Sequence, residues 1–131
     1  MDVAAILPHR PPFLLLDAVD DLDSPRSGNG VWRPAAGLAK QELYHLDLLL
    51  VEFAAQTAAY VAMHIRYQRQ PSQASLGYLV GLRRIAISGS SDPSRSYTAA
   101  VTLKSCYKNL YKYHFRIPRR MTGELEFIVA L

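Results

Sequence analysis

Two periodicities run through this chain. Apolar residues crowd together in Leu48-Leu49-Leu50-Val51-Glu52-Phe53-Ala54-Ala55-Gln56-Thr57-Ala58-Ala59-Tyr60, so densely that a helix there would be apolar almost all the way round. Such a helix is normally buried in the middle of a domain. Asp47 suits an N-cap, and Pro71 lies just past an end near Gln68, so the spacing predicts a helix from Asp47 to about Gln68. Its length would be roughly 30 Å. Glu52, Gln56, Ala59 and Met63 share one face of it by the three-and-four spacing.

The second half of the chain has a period of two. Tyr97, Ala99, Val101 and Leu103 alternate with Thr98, Ala100, Thr102 and Lys104. After a turn expected at Lys108-Asn109, Tyr111, Tyr113, Phe115 and Ile117 alternate with Lys112, His114 and Arg116. Leu125, Phe127, Val129 and Leu131 repeat the pattern, and Leu76 to Ile87 is an apolar segment broken by Gly77 and Gly81. Neighbouring segments of this kind predict an antiparallel sheet.

The first half is less regular. Ile6 to Pro12 is a proline-rich entry, and Phe13 to Val19 is an apolar run expected to form a buried strand. Ser24 to Gly30 reads as a turn or loop, Val31 to Pro34 as a short strand, and Ala35 to Tyr44 as loop. One long buried helix and five or six strands make a single α+β domain over residues 1–131, its antiparallel sheet wrapped around the helix.

Composition narrows the picture. The chain has 131 residues, half of them hydrophobic and a fifth charged, enough for one real core. No uninterrupted apolar run is long enough to span a membrane, and Met1-Asp2-Val3-Ala4-Ala5 lacks a basic start and long apolar segment, so a cytoplasmic location is expected. One cysteine, Cys106, rules out an internal disulfide framework and a cysteine-cluster metal site. The net charge is +4 and the pI about 9.4. The basic residues fall in short groups, Arg83 and Arg84, Lys104, Lys108 and Lys112, and Arg116, Arg119 and Arg120 among them. They read as solvated faces, or as a surface for an acidic partner. No nucleic-acid-binding motif is present.

Glu52 and Gln56 are the candidate chemistry. A carboxyl among Leu, Val, Phe and Ala is unfavourable unless paired or protonated. Burial also disfavours the charged form of a carboxyl, which suits such a group to hold and give up a proton. The alternative is a satisfied structural acid.

Three blocks resemble a known family. Leu7-Pro8-His9-Arg10-Pro11-Pro12-Phe13-Leu14-Leu15-Leu16-Asp17 resembles the opening motif of the bacterial 3-hydroxyacyl-acyl-carrier-protein dehydratases of the FabZ/FabA type. Glu52-Phe53-Ala54-Ala55-Gln56 is similar to their Glu-x-x-Ala-Gln helix motif. Leu76-Gly77-Tyr78-Leu79-Val80-Gly81-Leu82-Arg83-Arg84 resembles the strand that follows, especially in the branch found with aryl-polyene gene clusters. The blocks come in the family's order. The resemblance implies a hotdog fold, usually a dimer with a continuous sheet. It also implies an acyl thioester carried on phosphopantetheine, an acyl carrier protein as partner, and no metal or organic cofactor. Glu52 would then be catalytic, with Gln56, Gly81, Leu82 and Arg83 near the substrate.

Dehydration takes a proton from C2 and hydroxide from C3, which needs a base and a proton donor. The family pairs its Glu with a His in a Gly-His-Phe-Pro run upstream. The corresponding stretch here, Ala35-Ala36-Gly37-Leu38-Ala39-Lys40, has none. His45, seven residues before Glu52, and His9 are the substitutes, each with a plainer reading as a helix-entry residue or a brace for the first strand. His64 and His114 read as packing or surface, Cys106 as an ordinary thiol, and Trp32, Tyr97, Tyr107, Tyr111 and Tyr113 as sheet packing. Three readings stay open: a dehydratase, a non-catalytic acyl-binding subunit of a heteromeric dehydratase, and a thioesterase in which Glu52 activates water.

Overall fold

The dense apolar segment forms one helix and the alternating segments form strands. The computed structural model describes residues 3–7, 14–34, 46–69, 76–89 and 95–130. Within them, after a short 3-10 turn at Val3–Ala5, lie β1 (Ala18–Asp23), β2 (Ser27–Trp32), α1 (Leu46–Arg69), β3 (Leu76–Ile87), β4 (Tyr97–Tyr107), β5 (Leu110–Ile117) and β6 (Met121–Ala130). The strands make one sheet in the order β1-β2-β4-β5-β6-β3, every pairing antiparallel. The helix lies against it, chiefly on β2, β4 and β5.

The core is where the two periodicities meet. Leu46, Leu50, Phe53, Ala54, Ala58 and Val61 of α1 are fully buried against Ala99, Val101, Tyr113, Phe115, Leu125 and Val129. Along β4 the alternation holds as expected, with Tyr97, Ala99 and Val101 inward and Thr98, Ala100 and Thr102 outward. Lys108 and Asn109 form the β4–β5 turn, Lys108 in the left-handed conformation. Trp32 packs between Phe53 and Tyr97, while Tyr111, Tyr113 and Phe127 stack on one another. Tyr107, by contrast, is exposed, as is Cys106.

The first half departs from expectation. Only the end of the apolar run is strand: residues 14–17 have no regular structure, and β1 takes in Ala18 and Val19 and continues to Asp23. Its backbone is satisfied in other ways, since Asp17 N donates to Val31 O at 2.8 Å and the amides of Leu15 and Leu16 donate to a side chain of α1. The Gly-rich stretch is not mostly loop either. Only Ser24–Arg26 turns, and Ser27–Trp32 is a strand lying tight against the helix. A Cβ on Gly30 would run into the Thr57 side chain, and one on Gly28 would come within 2.8 Å of Val61 Cγ2. These glycines serve close approach rather than turning. The Ser24 hydroxyl then reaches α1, donating to Val61 O and accepting from Ile65 N at 3.1 Å, the two groups that a helix normally joins to each other.

Asp47 lies inside the first turn of α1, not ahead of it. Its carboxylate is taken by Arg120, whose Nη2 donates to Oδ1 at 2.5 Å. By length and mean composition α1 could cross a membrane, although polar residues interrupt its apolar runs, and 56% of the relevant window is buried inside the domain. It serves here as a core helix.

Candidate active site

Gln56 is the hub of the site. It is 1% exposed, on the face of α1 that also carries Glu52. Its Oε1 accepts from Leu15 N at 2.9 Å and Leu16 N at 3.2 Å, so the side chain cannot turn round without stranding two amides. That fixes the direction of its other end, where Nε2 donates to Glu52 Oε1 at 3.1 Å. The apolar run after the proline-rich entry therefore serves the site through its backbone, joined to Glu52 by one amide side chain.

Glu52 itself is half-buried, not deeply buried as its apolar surroundings imply. One helical turn before it, Leu48 is 69% exposed. Next to Gln56, Thr57 is fully buried and its Oγ1 donates to Phe53 O at 2.9 Å. The carboxylate thus stands at the margin of the core, held by Gln56 and reachable from outside. A group so placed can exchange a proton with a ligand lying along the exposed side of the helix.

His9, His45 and the Ala35–Lys40 stretch lie outside the described residues. Gly81, Leu82 and Arg83 sit on the edge strand β3. There Arg83 Nε pairs with Glu126 Oε1 at 3.1 Å, and Lys112 Nζ meets the same oxygen at 3.3 Å. Beside them Lys104 Nζ bonds Glu124 Oε1 at 2.6 Å, with Arg84 Nη1 at 3.8 Å. The hydrogen bond from Lys104 holds the Glu124 carboxyl below its usual range. The basic groups of the sequence are thus not uniformly solvated: four of these cations surround two acids of β6. Burial pushes the Tyr113 hydroxyl well above its ordinary range and lowers His64, which packs on Tyr60. Among the described residues no group of three or more His, Cys, Asp or Glu could hold a metal ion.

A family model for ApeP dehydratases matches residues 1–123. The chain belongs to the ApeP-like dehydratase family. Its fold agrees with solved structures. It superposes on the dehydratase heterocomplex ApeI:P from Xenorhabdus doucetiae with a TM-score of 0.82, at 18% identity, over 100% of this chain and 92% of that one. A sigma28-regulated virulence protein from Campylobacter jejuni gives 0.68 at 8% identity, over 98% and 95% of the two chains. A mutant thioesterase from Pseudomonas aeruginosa gives 0.56 at 13%, over 88% and 79%. A search of curated proteins returned no significant match. The six-stranded antiparallel sheet with one long helix is the hotdog fold, as the resemblance implied.

The Leu15 and Leu16 amides were invisible in the sequence as parts of the site. They lie about forty residues from Gln56, and no periodicity marks a backbone donor. The only signal was that an apolar run and a buried amide both lacked an evident hydrogen-bond partner.

Proposed function

We propose that this ApeP-like dehydratase removes water from a 3-hydroxyacyl thioester presented by an acyl carrier protein, in fatty-acid or polyene-type biosynthesis. The observation that carries this reading is the Gln56 bridge, which holds the Glu52 carboxylate at the edge of the core in a fixed direction. In the reaction a base takes the C2 proton, the electron pair forms the C2–C3 double bond, and the C3 hydroxyl leaves as water after receiving a proton. Glu52 is the acid/base group that serves the hydroxyl, and His45 or His9 is the candidate for the second proton transfer. Negative charge developing on the thioester oxygen is favoured near the N-terminal end of α1, where backbone amides and the helix dipole point. The acidic carrier docks on the basic surface, with contacts that weaken as salt screens them.

A partner chain belongs to the same proposal. The edge strand β3 exposes Leu79, Val80, Leu82 and Ile87, and Ile128 of β6 is exposed beside it. An apolar edge of this kind favours continuation of the sheet into a second chain. The second chain is another copy or a different hotdog subunit, the matched solved structure being a heterocomplex. In the second case this chain could be the acyl-binding half, with the chemistry in its partner.

Glu52→Gln tests the catalytic reading, since it keeps shape and removes the titratable group. The expected result is loss of enoyl-thioester hydration with the fold intact, by circular dichroism. Full activity in that variant would remove Glu52 from the chemistry. His45→Ala and His9→Ala, assayed alongside, identify the second group, and release of free acid from an acyl thioester would instead favour the thioesterase reading.

A further inference from the structure

Adjacent amides of a strand cannot serve one acceptor. In extended backbone successive N–H groups point to opposite sides, just as successive side chains do. Leu15 N and Leu16 N nevertheless both donate to Gln56 Oε1, at 2.9 and 3.2 Å. Residues 14–17 are accordingly irregular, with two consecutive donors converging on one oxygen. Such a backbone gains nothing from a ladder of strand hydrogen bonds, so other contacts must hold it over α1. Leu16 is 1% exposed and anchors the segment by packing. Packing is non-directional, however, and does not by itself aim an amide.

At residue 17 the segment is gripped twice. Asp17 N donates to Val31 O at 2.8 Å, and Asp17 Oδ2 accepts from Arg33 N at 2.6 Å. The regular β1–β2 pairing ends at Ala18 and Val31. The Asp17 side chain thus supplies an acceptor to Arg33, one residue past the end of β2, where the ladder has stopped. Between the two gripped residues lies Trp32, 5% exposed and packed on Phe53 of α1. The clasp therefore ties the irregular segment to a stretch of chain that is itself fixed on the helix.

We propose that Asp17 is a positioning residue of the site, holding the Leu15 and Leu16 amides on Gln56 and so fixing the amide that Gln56 presents to Glu52. The path runs from the Asp17 clasp to Leu16 N and Leu15 N, then to Gln56 Oε1, and from Gln56 Nε2 to Glu52 Oε1. A carboxylate accepting from a main-chain amide makes a charge-assisted bond, stronger than a neutral one. The Asp17–Arg33 bond is exposed to water, so its removal loosens the segment without unfolding the domain. Its effect on dehydration depends on Glu52 acting as proposed above; its hold on Gln56 does not.

The test compares Asp17→Ala with Asp17→Asn, which keeps an acceptor oxygen at the same reach, in the isotope-labelled full chain. Amide hydrogen exchange, the Gln56 side-chain amide resonances, and the kcat and KM of enoyl-thioester hydration are read together. In Asp17→Ala the Leu15 and Leu16 amides are expected to exchange about tenfold faster, while the core amides of β4 keep their rates. The Gln56 resonances are expected to move, and kcat to fall about tenfold with KM changed less than about twofold, because orientation at the reacting group is what is lost. Asp17→Asn is expected to return most of the protection and the parent Gln56 resonances. Unchanged Leu15 and Leu16 protection in Asp17→Ala overturns the proposal. So does exchange that quickens equally along the whole chain, which would make Asp17 an ordinary stability contact. An Asp17→Asn variant as loose as Asp17→Ala, or displaced Gln56 resonances with an unchanged kcat, overturns it too. A parent chain without hydration activity, in which the exchange and resonance results hold, would count against catalysis by this chain and leave the hold of Asp17 on Gln56 standing.

Discussion

Gln56 holds Glu52 from one end while the chain's own backbone holds Gln56 from the other. The amide nitrogen donates to Glu52 Oε1 at 3.1 Å, and the carbonyl oxygen accepts from Leu15 and Leu16. A residue one helical turn away is well placed to pair. Here the pair is directional because the far end of Gln56 is locked. Gln56→Leu would leave two amides without their acceptor, one fully buried and one partly so. The expected loss is about 2–3 kcal/mol of stability by urea denaturation, together with thioester hydration. A loss below about 0.5 kcal/mol would mean that water replaces the lost acceptor.

Gly30 faces Thr57 across the β2–α1 contact with no space between them. Gly30→Ala is expected to cost about 3 kcal/mol, because neither the strand nor the helix can retreat without opening the core. Adding Thr57→Ala removes two of the three atoms that the new methyl group would meet. The double variant should then recover part of the loss in chemical denaturation. Strictly additive losses would show that the contact is not the cause.

Glu124 contributes a stability that depends on pH. The Lys104 hydrogen bond depresses its carboxyl from the ordinary value of 4.5. A depressed carboxylate stabilises the fold fully above its unfolded range, and that contribution fades as pH falls through about 4.5 towards the folded value. Glu124→Gln is therefore expected to be less stable than the parent at neutral pH, the two converging in acid. A difference that persists unchanged at low pH would locate the effect in packing rather than charge.

The β3 edge gives the prediction for assembly. The parent chain is expected to sediment as a dimer or larger, alone or with a partner subunit. Leu79→Lys/Val80→Lys places two charges on that edge and should shift the mass to the monomer without unfolding the domain. An unchanged mass would place the interface elsewhere.

Much of the architecture was legible along the chain because burial on one face imposes a period. The α1 segment was apolar enough to require a core position, and β4, β5 and β6 alternated well enough to give their facing and the Lys108-Asn109 turn. The region before the helix misled for a physical reason. An apolar run can bury side chains without pairing as a strand when a side chain supplies its acceptor, as Gln56 does for Leu15 and Leu16. Glycines that permit helix contact at Gly28 and Gly30 look, in sequence, like glycines that permit a turn.

For the site, the family motif put Glu52 and Gln56 on one helix face, because three-and-four spacing depends only on the helix repeat. Local spacing says nothing about what arrives from forty residues away. The amides that orient Gln56, the pairing of Arg120 with Asp47, and the bond from Arg33 N to Asp17 are meetings of separate segments. Sequence determined which faces had to be hidden, since water excludes apolar surface wherever it lies in the chain. Only the folded sheet decided which polar groups would meet once those faces closed, because hydrogen bonds depend on position in space and not on order along the backbone.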